Sequence, residues 1–562
     1  MKPWYKFYDK HEISRSPEFK DITLIQMFTE RVKRHPSRPM IAFEGKLFSY
    51  QTIYNESRKF ASWLISQGIA PGDKIAVALP NIPQTIIALY GIWMAGATYV
   101  GLNPLYTKRE LEFQIENSDA KIVVMLDLFA NKLVNVDIPI IVTSIITYFP
   151  LWKRFLAYLF ARKSYKKSLA VKYIDWNTTL TGDMLSEPLF RDNIDQIASM
   201  LFTGGTTGIQ KAVMRSHRTI SHTLQSQNIW YADALAKISP DKNVCFTTFV
   251  PPIFHIYGLE HGHLYMMFNG VCNVLMPLPS AKTIIKISEK YNIVVLHAVP
   301  AILERIVKIQ TQRKHKCRIN NKILVFSAAG KLSESLLEDF KKAFGVYIID
   351  AYGMTEAAPI AQGFWNLDTR PTKPNATGIP SPGLDIKIVD LEDREKELPL
   401  GEYGEICVKG VQVMEGYYNM NNDHENPLKD GWLLTGDCGY MDEDGWLYIA
   451  GRKKEMVSVN GFKVYAQEIE DLLNAHPKVK EGCMIGKELP FGSCGAWTGE
   501  IKNNEIVKVV VVKKDESLTE QELIAYFKEV VAPYKVPKEV QFIDKLPRDV
   551  MGKVRKKDLK QL

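Results

Sequence analysis

Between Asp21 and Val142 the chain alternates apolar runs of strand length with stretches whose apolar residues recur at helical spacing. Ile25, Phe28 and Val32 fall on one side of a helix, and Phe60–Ile65 and Arg109–Ile115 read the same way. Met40–Phe43 and Leu47–Tyr50 flank Glu44-Gly45-Lys46 as a hairpin. Lys74–Leu79, behind the turn Pro71-Gly72-Asp73, and Lys121–Met125 are apolar strands. Strands that are apolar on both faces need helices on both sides. The alternation therefore predicts an α/β fold on a largely parallel sheet.

A chain of 562 residues exceeds one core. Past Gly378 the texture changes to glycine-rich, strand-like pieces, Gly404–Gly410 and Gly445–Gly451, which suggest a small β subdomain over about 378–451. The polar run Gly451-Arg452-Lys453-Lys454 reads as a junction. Beyond it a helix at Ala466–Leu473, a strand at Val507–Val512 and a helix at Glu520–Val530 form a compact α+β unit. The expected organisation is a large domain over 1–451 and a small C-terminal domain over 452–562.

Two stretches bear on membranes. Pro80 to Thr107 carries no charge, but its asparagines, prolines and glycines fit a buried helix followed by a strand better than a membrane span. The N-terminus lacks the apolar core of a signal peptide, and the seven cysteines are scattered with no CxxC pair, so a cytoplasmic protein with reduced thiols is expected. Tyr148–Lys163, followed by Lys166 and Lys167, mixes aromatic and basic residues in one short helix, and no acidic residue occurs from Val142 to Val171. That composition suits peripheral contact of 148–167 with the inner face of an anionic membrane. The plainer reading packs its aromatics on the domain and turns its cations to water. A net charge of +8 is mild at this length and gives no indication of nucleic acid.

Leu201-Phe202-Thr203-Gly204-Gly205-Thr206-Thr207-Gly208-Ile209-Gln210-Lys211 is rich in glycines and hydroxyls and carries one lysine. Glycine lets backbone N–H groups approach a phosphate, so the loop is a polyphosphate cradle or an ordinary glycine-rich turn. It is not G-x-x-x-x-G-K-[ST], because Lys211 follows Gly208 by three and Ala212 comes next. Two apolar strands run into Ser327-Ala328-Ala329-Gly330 and Ala351-Tyr352-Gly353-Met354-Thr355-Glu356, and strand ends of this kind wall ligand sites in open α/β sheets. His255, His261 and His263 have one carboxylate near them, Glu260, at a spacing that does not fit zinc, and His297 reads as a core histidine.

Together these segments resemble the adenylate-forming superfamily. Thr203–Gly208 with Lys211, Pro252–Gly258, Tyr352–Glu356, Trp432–Asp437, Gly451–Glu455 and Leu546–Lys553 fall in the family's order over nearly the whole chain. Leu105-Tyr106-Thr107 ahead of Arg109, the Thr-Gly-Gly form of the loop and the Tyr148–Lys163 insertion make it most similar to a long-chain fatty-acid–CoA ligase.

The resemblance implies ATP-dependent conversion of a medium- to long-chain fatty acid to acyl-AMP, then transfer to coenzyme A. Thr203, Gly204, Gly205, Thr206, Thr207 and Gly208 would bind the β- and γ-phosphates, with charge from Lys211. Glu356, helped by Thr203, would bind Mg²⁺, a hard ion that prefers oxygen ligands. Tyr352 would stack on adenine, with Gly330 and Gly353 allowing close approach and Thr355 in the same turn. Asp437 would accept the ribose hydroxyls beside Arg452. Lys553 would bridge carboxylate and α-phosphate, and the other tail cations, Arg548 and Lys556 among them, read as a solvated charge run. His255 would close the acyl side, with Ile256, Tyr257 and Gly258 lining the tunnel. Lys454 would be the hinge on which the small domain turns, bringing Gly461, Phe462 and Lys463 to coenzyme A.

The chain departs from the family at Gln210 and Ala466, usual proline positions, at Ala212, and around Cys483–Trp497. Rival readings are an aryl-acid or other carboxylic-acid ligase, a fatty acyl-AMP ligase, a P-loop kinase releasing ADP, and a non-catalytic lipid- or nucleotide-binding protein. A homodimer is an allowed assembly.

Overall fold

The computed structural model describes residues 2–161, 169–189, 192–203, 210–238, 244–313, 323–364, 370–420, 426–459, 462–488, 505–549 and 552–560. Among these residues, two large sheets carry the first three-quarters of the chain. One runs in the order Ile379–Pro380, Ala357–Gln362, Ile348–Met354, Leu324–Ser327, Ile293–Ala298, Phe246–Phe249, Cys272–Leu275, Pro39–Phe43 and Lys46–Ser49. Its centre is parallel and its two edges are antiparallel, the expected Met40–Tyr50 hairpin forming one of them. The other sheet is ordered Gly416–Tyr417, Ala212–Ser216, Ile197–Phe202, Thr98–Gly101, Lys74–Ala78, Ala120–Leu126, Ile140–Thr143 and Ile174–Asp175. It too is parallel except where the first three strands pair.

The charge-free stretch after Pro80 forms helix Pro83–Met94, in which every residue is buried, followed by strand Thr98–Gly101. A helix apolar all round belongs inside a protein or a bilayer; here it lies against helix Tyr50–Ser66. A Cβ on Gly91 would come within 2.8 Å of Phe60 and 2.9 Å of the Ser57 carbonyl, so glycine sets how closely the two helices cross. No helix among the described residues is long and apolar enough to cross a membrane.

A third sheet, antiparallel, holds Leu384–Val389, Gly404–Gly410, Trp432–Met441, Leu428–Lys429 and Leu447–Arg452. After Arg452 come the hairpin Val457–Val459/Phe462–Val464 and the sheet Val479–Glu488, Glu505–Lys513 and Glu539–Phe542. Helices Ala466–Ala475 and Glu520–Val530 accompany that sheet over a core of their own, with Ile469, Leu473, Val509, Leu523 and Phe527 at its centre.

Candidate active site

The expected phosphate loop leaves strand Ile197–Phe202 and returns as strand Ala212–Ser216. Gly204, Gly205, Thr206, Thr207 and Gly208 lie outside the described residues; their two flanks do not. The Thr203 N–H donates to the Lys211 carbonyl at 3.0 Å, and the Lys211 N–H donates to Thr203 Oγ1 at 3.3 Å. These two bonds close the neck of the loop. Gln210, where the family usually has proline, accepts a hydrogen bond from Gln114 Nε2 at 2.6 Å, which ties the loop's exit to helix Lys108–Asn117 by a side chain instead of a fixed φ. The Lys211 ammonium sits 5.1 Å from the centre of the Tyr417 ring, and the Tyr417 hydroxyl donates to Glu356 Oε1 at 2.6 Å. Lys211, Tyr417 and Glu356 are thus linked in one line, the middle member supplied by a segment the motifs did not mark.

Strand Ile348–Met354 runs further than the sequence suggested. Tyr352 and Gly353 are strand residues, and only Thr355 and Glu356 turn the chain into Ala357–Gln362. A Cβ on Gly353 would meet the Ala358 Cβ at 2.9 Å, so this glycine answers to the partner strand. Gly330 has no such neighbour: its Cβ would stand 3.6 Å from Pro300, an ordinary contact. In that turn the left-handed residue is Ala329, with φ +68°.

The expected ribose carboxylate lies where the β subdomain meets the first large sheet. The Tyr352 hydroxyl donates to Asp437 Oδ2 at 2.6 Å, and Arg452 Nε reaches Asp437 Oδ1 at 2.8 Å. Arg452 arrives there because Asp437 and Arg452 are register partners on adjacent antiparallel strands. Burial raises the Asp437 pKa, against the pull of Arg452 and Tyr352.

Lys553 closes a tight turn. Its N–H donates to Asp549 Oδ1 at 2.9 Å, the Asp549 N–H returns a bond to the Lys553 carbonyl, and Gly552 takes a left-handed φ of +83°. Protein crowding about the cleft and the positive Arg452 lower the Lys553 pKa, opposed by Asp549, Asp437 and Glu356. Its side chain still opens to the cleft. His255, whose Nδ1 accepts from the Tyr257 N–H at 3.3 Å, is held neutral by burial and by the charge of Lys553, with its pKa lowered to about 3. Residues about 300 positions apart in the chain therefore share one electrostatic site.

Of the other tail cations, Arg555, Lys557 and Lys560 are exposed as a solvated charge run would be, but two are held by distant acidic groups. Lys556 is largely buried and pairs with Glu455 and Glu470, each at 2.8 Å, and Arg548 bonds Glu481 and the Gly552 carbonyl. The sequence reading missed this because the acidic partners lie 67 to 101 positions away. At the junction, Lys454 is exposed within the turn Lys453–Glu455, while Lys453 is anchored on Glu405 at 2.8 Å and on the Leu391 carbonyl. Lys331, next to Gly330, reaches Asp471 of helix Ala466–Ala475 at 2.5 Å, holding the C-terminal unit against the turn. Phe462 is mostly exposed and stacks on Tyr534, Lys463 lies 4.0 Å from Glu392, and Gly461 is outside the described residues.

Other expectations also fall on described residues. Among the described residues no group of three histidine, cysteine or acidic side chains could hold a metal, and His297 is a core histidine bonded to Thr247 and His261. The expected basic–aromatic helix begins at Leu151; Tyr148 is instead buried in the preceding turn and bonded to Glu56. The described part of the helix departs from the plainer reading in the aromatics, while Arg154 does face water. Lys153 turns inward to Glu44 at 2.8 Å, while Leu151, Trp152 and Phe155 are 84%, 62% and 64% exposed. Residues 162–168 lie outside the described residues, and the side chains of 157–161 are likewise not described.

Known proteins share this fold. Residues 28–418 match the family model described as AMP-binding enzyme, and residues 468–553 match the AMP-binding enzyme C-terminal domain. The chain is 32% identical over 576 residues to a long-chain-fatty-acid–CoA ligase of Bacillus subtilis (strain 168), covering 100% of this chain and 98% of that protein. It is 33% identical to the protein of the same name from Escherichia coli O6:H1, over 96% of this chain and 94% of the other. Its fold matches the crystal structure of ATP-bound MatB from Rhodopseudomonas palustris with a TM-score of 0.79 and 25% identity, over 96% of this chain and 99% of that one. The protein belongs to the AMP-binding enzyme family.

Proposed function

We propose that the protein is an AMP-forming acid–thiol ligase that activates medium- to long-chain fatty acids with ATP and passes the acyl group to coenzyme A. A fatty carboxylate oxygen attacks the α-phosphorus and pyrophosphate leaves. The coenzyme A thiolate then attacks the acyl carbon and AMP leaves. Adenylation is needed because a carboxylate has no good leaving group of its own. The observation that carries the reading is the buried Asp437, held by Tyr352 and Arg452, and the Tyr417-held Glu356, both within reach of the Lys553 charge that also acts on His255; full-length likeness to fatty-acid–CoA ligases supports it.

In this reading Lys553 neutralises the carboxylate and the α-phosphate as they approach, which is mainly positioning and charge stabilisation. Asp437 takes the ribose hydroxyls; each of its oxygens has one bond, so lone pairs remain. Tyr352 packs on adenine beside Gly353 and Thr355, with Gly330 across the turn. Thr203–Gly208 and Lys211 hold the departing pyrophosphate. Among the described residues no cluster of ligating side chains surrounds Glu356, and a single carboxylate fits Mg²⁺, which keeps waters and phosphate oxygens in its shell. Glu356 and Thr203 would hold it, and it would supply charge to the phosphates. His255, neutral, closes the acyl side without adding a cation next to Lys553.

We assign residues 1–451 to the adenylation domain and 452–562 to the mobile one, with Lys454 as hinge and Gly461, Phe462 and Lys463 facing coenzyme A. A segmental rotation needs few junction residues, and the exposed Lys454 between the anchored Lys453 and the ion-paired Glu455 is placed for it. We assign peripheral membrane contact to the helix after Pro150; the outward Leu151, Trp152 and Phe155 support it, as do Lys46 and Lys290, which line a hollow with Trp152, Lys153 and Glu44.

A panel of fatty acids read by pyrophosphate release, with and without coenzyme A, tests the ligase. AMP and pyrophosphate with medium- or long-chain acids, and thioester only with coenzyme A, are expected. Product from aromatic acids alone would select the aryl-acid reading, and ADP would select a kinase.

A further inference from the structure

The motif Pro252–Gly258 ends where the buried π-helix Tyr257–Tyr265 begins, and the helix continues past it. With about four residues per turn, Tyr257, His261 and Tyr265 fall in one stripe, and their rings are in contact at 5.9 and 5.7 Å. The stripe starts beside His255 at the reaction cleft. It faces helix His217–Ile238 through Tyr231, and strands Ile293–Ala298 and Leu324–Ser327 through His297 and Phe326. An acyl site for plain alkyl chains would line such a stripe with aliphatic side chains. This one carries an imidazole.

That imidazole is bonded on one side only. His297 meets Thr247 Oγ1 through Nδ1 at 3.2 Å and His261 Nδ1 through Nε2 at 2.9 Å. The other ring nitrogen, His261 Nε2, has no hydrogen-bond partner among the described residues although His261 is only 7% exposed. Gln227, on the facing helix one turn before Tyr231, is 1% exposed, and neither end of its amide has a partner. Tyr265 joins the two elements by donating to the Gln227 carbonyl at 3.3 Å. Buried polar groups are almost always paired, so an unmet ring nitrogen and an unmet amide on adjoining elements mark a place where something else completes the bonds.

We propose that His261 and Gln227 form a hydrogen-bonding subsite inside the acyl pocket, so that this enzyme prefers carboxylic acids bearing a hydroxyl or similar donor along the chain. His261 Nε2 shares a hydrogen bond with the hydroxyl, which is both donor and acceptor, and the Gln227 amide bonds the same group. The inference rests on the acid-activating reading above and deepens it. A pocket built to bond a hydroxyl discriminates against the analogue lacking it far more strongly than an apolar pocket rejects an extra one, because its own polar groups are then left unpaired.

The test compares a straight-chain saturated acid with the same acid hydroxylated at successive positions, by kcat/KM for pyrophosphate release in the full-length enzyme. At least about a tenfold preference is expected at one hydroxyl position, shrinking toward one in His261→Leu and in Gln227→Leu, with His261→Asn intermediate. A wild-type ratio near or below one at every position overturns the proposal whether or not the variants fold. So does an unchanged ratio in a folded His261→Leu protein. Release of no pyrophosphate with any acid removes the ligase reading as well, whereas turnover of plain acids without discrimination removes the subsite alone.

Discussion

The Tyr352 hydroxyl and Asp437 Oδ2 lie 2.6 Å apart, joining the strand that would carry adenine to the strand that would carry ribose. The bond crosses from the large sheet to the β subdomain. Tyr352 and Arg452 thus orient a buried carboxylate before any ligand arrives. Asp437→Asn should raise the KM for ATP about ten- to hundredfold, since the amide leaves Arg452 without its charge partner. Tyr352→Phe, which keeps the ring and loses only the hydrogen bond, should cost about tenfold or less. Initial-rate kinetics at varied ATP check both, and equal losses would mean that the Tyr352 hydrogen bond matters as much as the Asp437 charge.

Tyr417 is the side chain that holds Glu356. Removing its hydroxyl in Tyr417→Phe frees Glu356 Oε1 to rotate and leaves the ring under Lys211. The Mg²⁺ concentration giving half-maximal activity should rise several-fold while the KM for the fatty acid stays near the parent value. A magnesium titration at saturating ATP measures it.

Lys553→Ala should lower acyl-AMP formation at least about a hundredfold and spare thioester formation from supplied acyl-AMP. Parallel assay of the two half-reactions decides; loss of both together would contradict the division of labour. Because the cleft lowers the pKa of this lysine, the alkaline limb of adenylation should fall below the usual lysine range. Lys553→Arg should move that limb upward.

Burial lowers His217, His261 and His263 each to about 3, whereas an unfolded imidazole titrates near ~6.5. Below that value the unfolded chain binds more protons than the native one. Stability therefore falls as pH drops from about 6.5 toward 3, by roughly 1.4 kcal/mol per pH unit for each imidazole. Thermal midpoints between pH 7 and pH 5 should show the decline. His263→Gln, which keeps a hydrogen-bonding group for Tyr90, should flatten it.

Trp152→Ser with Phe155→Ser should weaken co-sedimentation with anionic vesicles by several-fold and leave turnover of detergent-dispersed fatty acid unaffected. Unchanged sedimentation would mean that the exposed face meets something other than lipid. Lys153→Gln should act mainly on the seating of the helix, because its ammonium is bonded to Glu44.

Much of the architecture was legible in the residues. The alternation from Asp21 to Val142 predicted parallel strands between helices because local apolar spacing is set by local burial, and Pro83–Met94 is a buried helix as its charge-free sequence required. The types and order of the expected site residues were also readable, since phosphate, ribose and carboxylate chemistry each ask for particular side chains. What the chain could not show was pairing at long range. Tyr417 on Glu356, Tyr352 on Asp437, and Lys556 between Glu455 and Glu470 join residues 61 to 101 positions apart, and no local pattern records such partners. The same holds for the basic–aromatic helix: its composition was evident, but only packing against Glu44 turned Lys153 inward and left Trp152 and Phe155 outside. Sequence by itself determined which groups were available and the elements that carry them. Tertiary structure decided which charges are neutralised and which hydrogen bonds are already made, because those depend on burial and on neighbours that only the fold supplies.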